Sequence, residues 1–288
     1  TQQLNAIKMI DDKHGYLAGN GGTFYETRDG GRSWFPHSFT TANLRSIASW
    51  SGGEKPVTAS LLASYNFDET PGSSVYLDTA GASRHGLPGP GSAAPFQSFT
   101  AGRFGSGLSF DGTDDYAQLA IYQPPTSFSI SLWCNPKNPG TNNQAIIANN
   151  DTAGGDRFVF GFYNTGYRIR FMGTNFDIAD LRWFGWQHFL ITCSYNSTTN
   201  QSTVALRRDG TLLGSNAFTG QLTTSTGVRW SLGQQWNGSI GNLVAADFFD
   251  GDIDAVHFLD GVATAGQTVL REHNIQSAAV AGDGGRLF

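Results

Sequence analysis

A short stretch near the beginning of the chain recurs at its end. Residues 17–25 read LAGNGGTFY and residues 280–288 read VAGDGGRLF. A second pair lies upstream of each copy, LNAIKMI at residues 4–10 and LRSIASW at residues 44–50. Six residues join the two halves of the first copy, whereas residues 51–279 separate the two halves of the second. The pattern predicts a repeated β unit whose second copy is interrupted by an inserted domain.

A repeat of about 40 residues is the length of one β-propeller blade. The turn TRDGGRSW at residues 27–34 follows the first copy. Gly30 and Gly31 can take positive φ in a tight hairpin, and the Asp29 carboxylate can accept hydrogen bonds from backbone amides of its own turn. Trp34 is expected to pack on the sheet as an apolar anchor.

This turn fits the Asp-box pattern, Ser/Thr-x-Asp-x-Gly-x-Ser/Thr-Trp. The positions that carry the match are Thr27, Asp29, Gly31, Ser33 and Trp34. With the preceding GYLAGNGGTFYET it resembles blades of the Asp-box propellers, in particular the photosystem II assembly-factor-like group, and the sialidase-like enzymes belong to the same superfamily. The resemblance implies a structural role for the turn.

One blade and part of a second cannot close a propeller ring. We therefore expect further blades, supplied by a longer polypeptide to which this chain belongs or by another chain. Too little propeller is present to supply the arginine cluster, Tyr/Glu pair and acidic residue of a sialidase.

The long insert has a different pattern. Charged residues make up 14% of the chain, aromatic residues 13%, and glycine occurs 37 times, which is typical of all-β domains. Between residues 59 and 276, short strand-like segments alternate with turn signals such as GTDD and NPKNPG. A single short helical pattern covers residues 265–275. This spacing predicts two packed antiparallel sheets.

Seven segments of the insert, in this order, resemble the laminin G-like, concanavalin A-like jelly-roll family. They are LLASYNFDE, LDTAGASRHG, FGSGLSFDGTDDYAQL, FSISLWCNP, FGWQHFLITCSY, VALRRDGTLLG and FFDGDIDAVHFLDGVATAGQTVLREHN. We therefore predict an all-β protein: a jelly-roll sandwich at residues 59–276, inserted between strands of an incomplete propeller formed by residues 1–58 and the returning strand 277–288.

Catalysis is not predicted. The glucanases related to this family use closely spaced glutamates that flank an aspartate on one strand, and retaining hydrolysis needs two neighbouring carboxyl groups. The four glutamates of this chain are scattered, at Glu26, Glu54, Glu69 and Glu272. The run DGDIDAV at residues 250–256 alternates acidic and apolar residues, and the resemblance implies a structural role for it.

Calcium is the expected use of the acidic residues, because it binds loops that mix aspartate side chains with carbonyl oxygens. In this family a structural calcium ion often bridges the closing strand and an early loop, and the matching positions are Asp254 and Asp78. A second possible site is formed by Asp111, Asp114 and Asp115. The alternative is that these aspartates cap turns.

A lectin-like site would need exposed aromatic faces beside amide and carboxylate groups. The ligand-binding candidates are Trp236, Gln235, Asn237, Trp183 and Tyr167. The alternative is that these aromatic residues shield loop backbone.

The net charge of −5 and the scattered basic residues argue against nucleic acid as a partner. No apolar run is long enough for a membrane helix. Cys134 and Cys193 fit either buried thiols or one disulfide bridge. The leading prediction is a recognition or adhesion module for glycans or proteins, extracellular or on a virus particle. The alternatives are a purely structural part of such an assembly and an accessory part of a propeller glycosidase.

Overall fold

The computed structural model describes most of the chain and divides it into two compact units, Thr1–Pro56 and Val57–Phe288. The described residues are 3–9, 13, 15–27, 29–37, 60–89, 98–120, 122–138, 143–149, 157–163, 166–179, 185–224, 228–239 and 242–263. The division lies close to the predicted boundary at residue 58.

The first unit is a four-stranded antiparallel meander. Its elements are β1 (Leu4–Met9), β2 (Gly15–Gly19), the 3-10 turn η1 (Asn20–Gly22), β3 (Phe24–Thr27) and β4 (Phe35–His37). The strands lie in chain order in the sheet. The repeated sequence LAGNGGTFY forms the β2–β3 hairpin, where Gly21 (φ 64°) and Gly22 (φ 76°) take the left-handed conformation that favours glycine.

The turn between β3 and β4 is held by its own side chains. Thr27 Oγ1 donates to Asp29 Oδ1 at 2.9 Å and accepts from Gly31 N–H at 2.8 Å. Ser33 N–H donates to Asp29 Oδ1 at 2.9 Å, and this bond is the main cause of the lowered pKa of Asp29. Trp34 Nε1 donates to Gly31 O at 3.1 Å, so the indole folds back over its own turn. The predicted backbone bonds of Asp29 are therefore present.

The predicted split blade depends on residues 44–50 and 280–288, which lie outside the described residues, as does the predicted helix at 265–275. The four described strands of the first unit form an open sheet, and the propeller ring remains a prediction.

The second unit is built from two large sheets and a hairpin. Its strands are β5 (Leu61–Tyr65), β6 (Leu87–Pro88), β7 (Ser98–Ala101), β8 (Ser106–Asp111), β9 (Ala117–Gln118), β10 (Phe128–Pro136), β11 (Gln144–Asn149), β12 (Phe158–Tyr163), β13 (Gly166–Phe171), β14 (Thr174–Ile178), β15 (Gln187–Asn196), β16 (Gln201–Arg208), β17 (Thr211–Thr219), β18 (Ser231–Leu232), β19 (Gln235–Ser239), β20 (Asn242–Ala246) and β21 (Asp250–Asp260).

The sheet that we call sheet I has the order β17-β16-β15-β10-β21-β8-β7, with β5 paired to β21. Sheet II has the order β14-β13-β12-β11-β18-β9-β6, and β19 pairs with β20 as a separate hairpin. The neighbouring strands in both sheets are antiparallel, and alternate residues of β10, β12, β13 and β15 enter one buried apolar cluster. The predicted all-β sandwich is therefore confirmed.

Period-2 alternation explains which side chains fill the core. Phe158, Phe160 and Phe162 of β12 all point into the cluster, and Ile130 and Leu132 of β10 join them from sheet I. The residues between them face outward, so the outer surface of sheet II is set by the same alternation.

Cys134 and Cys193 are both buried free thiols, and they therefore form no disulfide. Burial raises the pKa of Cys193 to about 11 and that of Cys134 well above its usual value. No helix in the described part of the chain has the length and apolar character needed to span a membrane.

Candidate functional site

The outer face of sheet II carries an open depression of about 60 Å³. Its floor is formed by small residues that alternate with the core residues of β11 and β12, namely Ala145, Val159 and Gly161. Ala145 and Val159 belong to a second buried apolar cluster together with Ala148, separate from the main core. We call this depression the groove.

Strand register places two arginines beside this floor. Gly161 pairs with Arg168 and Val159 pairs with Arg170 across β12 and β13. One strand further on, Arg168 pairs with Asp177. On the outer face of sheet II, each floor residue of β12 is therefore followed by an arginine of β13 and then by a polar residue of β14. The two arginines form one wall of the groove.

Arg168 is fixed by two contacts. Its Nη2 donates to Asp177 Oδ2 at 2.7 Å while its Nε donates to Oδ1, so the pair is bidentate. Its guanidinium carbon lies 3.3 Å from the centroid of the Tyr163 ring. The Arg168 hydrogen bonds lower the pKa of Asp177, and Asp177 raises that of Arg168.

The other residues of the rim supply both donors and acceptors. Arg170 Nε donates to Asn175 Oδ1 at 2.8 Å. On the far side, Gln235 Nε2 donates to Asp247 Oδ2. Burial raises the pKa of Asp247, while Gln235 and Arg170 act in the opposite direction. A small apolar floor with a rim of guanidinium, amide and carboxylate groups suits a ligand rich in hydroxyl groups.

The predicted ligand-binding residues are separated by the fold. Gln235 lines the groove, and Asn237, two residues further along β19, is exposed. Trp236 lies between them and is half-buried, with its ring edge-on to Tyr116 at a centroid distance of 5.4 Å. Trp183 lies outside the described residues.

Tyr167 is a core residue, so the expectation of an exposed loop aromatic is wrong for this side chain. Only 1% of Tyr167 is exposed, and its ring packs against Phe160, Phe162 and Phe189. The reason is that Tyr167 lies within β13, two residues before Ile169, so both side chains point to the core face of the strand.

Gln235 is the one groove residue among the predicted site residues; Tyr163, Arg168, Arg170 and Asp247, which carry the polar and aromatic contacts described above, were not predicted. The two arginines have i, i+2 spacing and would be assigned to a solvated strand face from sequence alone. The signal that separates them from such a face is the run of small residues on the paired strands, which becomes visible only once the register is known.

Asp78, the first of the two predicted calcium ligands, caps backbone amides. Its Oδ1 accepts hydrogen bonds from the N–H groups of Ser64 and Ala80, both at 2.9 Å. Its Oδ2 accepts from Arg84 N–H at 3.1 Å. Three donors therefore already point at this buried carboxylate.

Asp254 is engaged in a similar way. Its Oδ2 accepts from Phe104 N–H at 2.8 Å and its Oδ1 from Ala255 N–H at 2.6 Å. Every carboxylate oxygen of Asp78 and Asp254 therefore accepts a backbone hydrogen bond, and these bonds match the alternative expectation that the two aspartates cap turns. A calcium ion shared by Asp78 and Asp254 remains a prediction.

The second predicted acidic group is brought together by the turn between β8 and β9. Carboxylate oxygens of Asp111, Asp114 and Asp115 lie within 4.8 Å of one another. It is the only group of three or more potential metal-ligating side chains among the described residues. Burial, followed by the charge of Asp111, raises the pKa of Asp115 to about 6.

Comparisons with known proteins agree with this architecture. The chain is similar to domain 4 of AbnA, an extracellular GH43 arabinanase from Geobacillus stearothermophilus, solved in complex with arabinotriose: the TM-score is 0.53 at 18% identity, over 73% of this chain and 96% of that one. It is also similar to the receptor-binding domain of botulinum neurotoxin type G, with a TM-score of 0.51 at 12% identity over 74% of this chain.

The chain spans about half the length of that neurotoxin domain, 51%. At these identities the likeness shows a shared fold. No curated protein matches the sequence. Residues 110–267, more than half of the 288 residues, match the model of a family described as the concanavalin A-like lectin/glucanases superfamily. The chain therefore belongs to the concanavalin A-like lectin/glucanases superfamily.

Proposed function

We propose that the sandwich is a non-catalytic recognition module that binds carbohydrate in the groove on sheet II, as part of a larger extracellular or virion surface protein. The observation that carries the proposal is the groove itself, in which a floor of small residues is flanked by Arg168 and Arg170 on one side and Gln235 and Asp247 on the other. Arabinotriose in the complex of the similar arabinanase domain supports a saccharide as the ligand.

The chemistry of the rim suits sugar hydroxyl groups. A guanidinium or amide N–H donates to a hydroxyl oxygen, and the Asp247 carboxylate accepts from a hydroxyl O–H. Arg168 is held in place by Asp177 and by the Tyr163 ring, so its side chain loses little additional conformational freedom when a ligand binds. Glycine is required at position 161, because a Cβ there would lie 2.0 Å from the backbone oxygen of Gln144 on the paired strand.

The state of the two nearby carboxylates supports binding without hydrolysis. A glycoside hydrolase needs one carboxyl group as acid and a second as base or nucleophile. Both oxygens of Asp177 are engaged by Arg168, so Asp177 is poorly placed to activate water or attack a sugar. Among the described residues that line the groove, Asp247 is then the only carboxylate, and hydrolysis needs a pair.

Binding is tested with the purified chain on a glycan array, with arabinotriose in solution as a further probe. We expect at least one class of saccharide to bind, and Arg170→Ala to weaken that binding about tenfold, since a hydrogen bond from a charged donor is lost. The matched control is Arg207→Ala, a half-buried arginine on β16 of sheet I.

Two results would contradict the proposal. One is that no saccharide binds, which favours a protein ligand or a purely structural role. The other is equal binding by the Arg170→Ala and Arg207→Ala variants, which would place the site elsewhere, for example at Trp236. Release of reducing sugar from a bound saccharide would overturn the non-catalytic assignment.

A further inference from the structure

The turn that joins β8 to β9 concentrates negative charge. Asp111, Asp114 and Asp115 lie within five positions, and carboxylate oxygens from all three lie within 4.8 Å of one another. Asp111 and Asp114 are exposed, whereas only 7% of Asp115 is exposed. Among the described residues, none of these three aspartates forms an ion pair with a lysine or arginine.

Asp115 provides an observation that is independent of this clustering. Its Oδ2 accepts a hydrogen bond from Asp111 N–H at 3.2 Å. Its Oδ1 is shielded from solvent and has no hydrogen-bond partner among the described residues. A buried carboxylate oxygen without a donor carries an unmet desolvation cost, and a cation is the partner that a cluster of acceptors can share.

The dimensions of the cluster fit calcium. Calcium–oxygen distances are about 2.3–2.6 Å, so two ligands on opposite sides of the ion are at most about 5 Å apart. The separation of 4.8 Å or less lies within that limit. The donors are all carboxylate oxygens, without a histidine or cysteine, which favours calcium over zinc. A solvent-exposed turn also tolerates the irregular geometry that calcium accepts and magnesium does not.

We propose that this turn binds one calcium ion through the carboxylates of Asp111, Asp114 and Asp115, with water completing the coordination. The site is separate from the groove and does not depend on whether the groove binds sugar. Gly112 (φ 76°) gives the turn its shape, and a Cβ there would approach Asp250 Cβ at 2.9 Å. A calcium ion would cancel the mutual repulsion of the three carboxylates and fix the turn.

The residue after the cluster offers a spectroscopic probe. Tyr116 follows Asp115 directly, and its ring packs edge-on against Trp236. Terbium replaces calcium in oxygen-ligand sites, and its luminescence is sensitised by aromatic rings within a few ångströms. Terbium bound at the turn is therefore expected to emit when the protein is excited in the ultraviolet, and added calcium is expected to displace it.

The test uses the full chain, stripped with EDTA and then titrated with calcium in a calorimeter, followed by thermal melts with calcium or EDTA. We expect binding at a single site and a Tm that rises by a few degrees at saturating calcium, because a ligand that binds only the folded state stabilises it. Asp114→Asn, an exposed change, should weaken calcium binding by about tenfold or more. Asp260→Asn, an exposed aspartate at the end of β21, is the matched control and should bind as the original chain does.

Asp115→Asn separates a metal site from a purely structural turn. An amide keeps an acceptor for Asp111 N–H and removes the buried charge, so the variant should melt in EDTA at the same temperature as the original chain or higher, yet lose its response to calcium. The proposal is overturned if the original chain binds no calcium, or if Asp114→Asn and Asp115→Asn both keep the full response. The second result would assign the ion to another part of the chain.

Discussion

Asp78 and Asp115 are almost equally buried, with 6% and 7% of each residue exposed, yet their carboxylates are in opposite situations. Asp78 accepts three backbone hydrogen bonds, from Ser64, Ala80 and Arg84. Asp115 accepts one, and its second oxygen has no partner in the described part of the chain. The difference shows that burial of an aspartate does not by itself indicate a metal ligand. The acceptor capacity that the protein leaves unused is the more specific indicator.

The largest expected change in stability follows from removing the Asp78 carboxylate, which accepts three backbone hydrogen bonds. Asp78→Ala leaves three N–H groups without this acceptor, a buried one on Ser64 and partly buried ones on Ala80 and Arg84, so the free energy of unfolding should fall by about 3 kcal/mol. Urea denaturation followed by tryptophan fluorescence measures this change. Asp78→Asn is the isosteric companion, and it should also destabilise because its amide N–H₂ group faces the N–H of Arg84.

If Asp78 were instead a calcium ligand, its substitution would mainly remove the difference between the free energies of unfolding measured in calcium and in EDTA. A stability loss that is equal in both solutions supports the capping role. A loss of stability that appears only in calcium would show that Asp78 binds the ion, and Asp78 and Asp115 would then not differ in the way described above.

The same Asp→Asn change should have the opposite sign at Asp115 when calcium is absent. Removing an ionised, buried and partly unpaired carboxylate beside Asp111 and Asp114 should raise the free energy of unfolding by about 1 kcal/mol in EDTA. Chemical denaturation of the two Asn variants in one EDTA buffer compares them directly. A loss of stability at Asp115 similar to that at Asp78 would mean that both carboxylates serve as backbone caps.

The fold was largely predictable because the buried strands alternate in sequence. Segments such as FSISLWCNP and FVFGFY place large apolar residues at every second position, which identifies β10 and β12. The strands β6, β7, β14, β17, β19 and β20 were not predicted. TNFDI and TLLGSNAFT are polar or contain glycine, and β14 and β17 lie at the edges of their sheets, so pairing with a neighbouring strand supports them more than their own pattern does.

The groove was less predictable than the acidic turn. Asp111, Asp114 and Asp115 are close in sequence, so a local turn is enough to bring them together. The groove instead needs the register of β11, β12 and β13, including an irregularity between Ala145 and Ile147. Gln235 was a predicted binding residue, but nothing in its neighbourhood in the sequence places it beside Asp247 or Arg170. Long-range pairing is decided by the whole core, and a single strand does not encode it.

The smallest expected effect concerns a third carboxylate, Asp177, which is satisfied by a charge rather than by amides or a metal. Its bidentate pair with Arg168 is largely exposed on the Asp177 side, so a double-mutant cycle with Arg168→Ala and Asp177→Ala should give a coupling energy below about 1 kcal/mol. Because Arg168 lowers the pKa of Asp177, the coupling should be present at neutral pH and be lost as the pH falls through that lowered pKa. It should also weaken at high salt. A coupling energy that is insensitive to pH and salt would contradict this prediction, because it would show that Arg168 and Asp177 do not interact mainly as an ion pair.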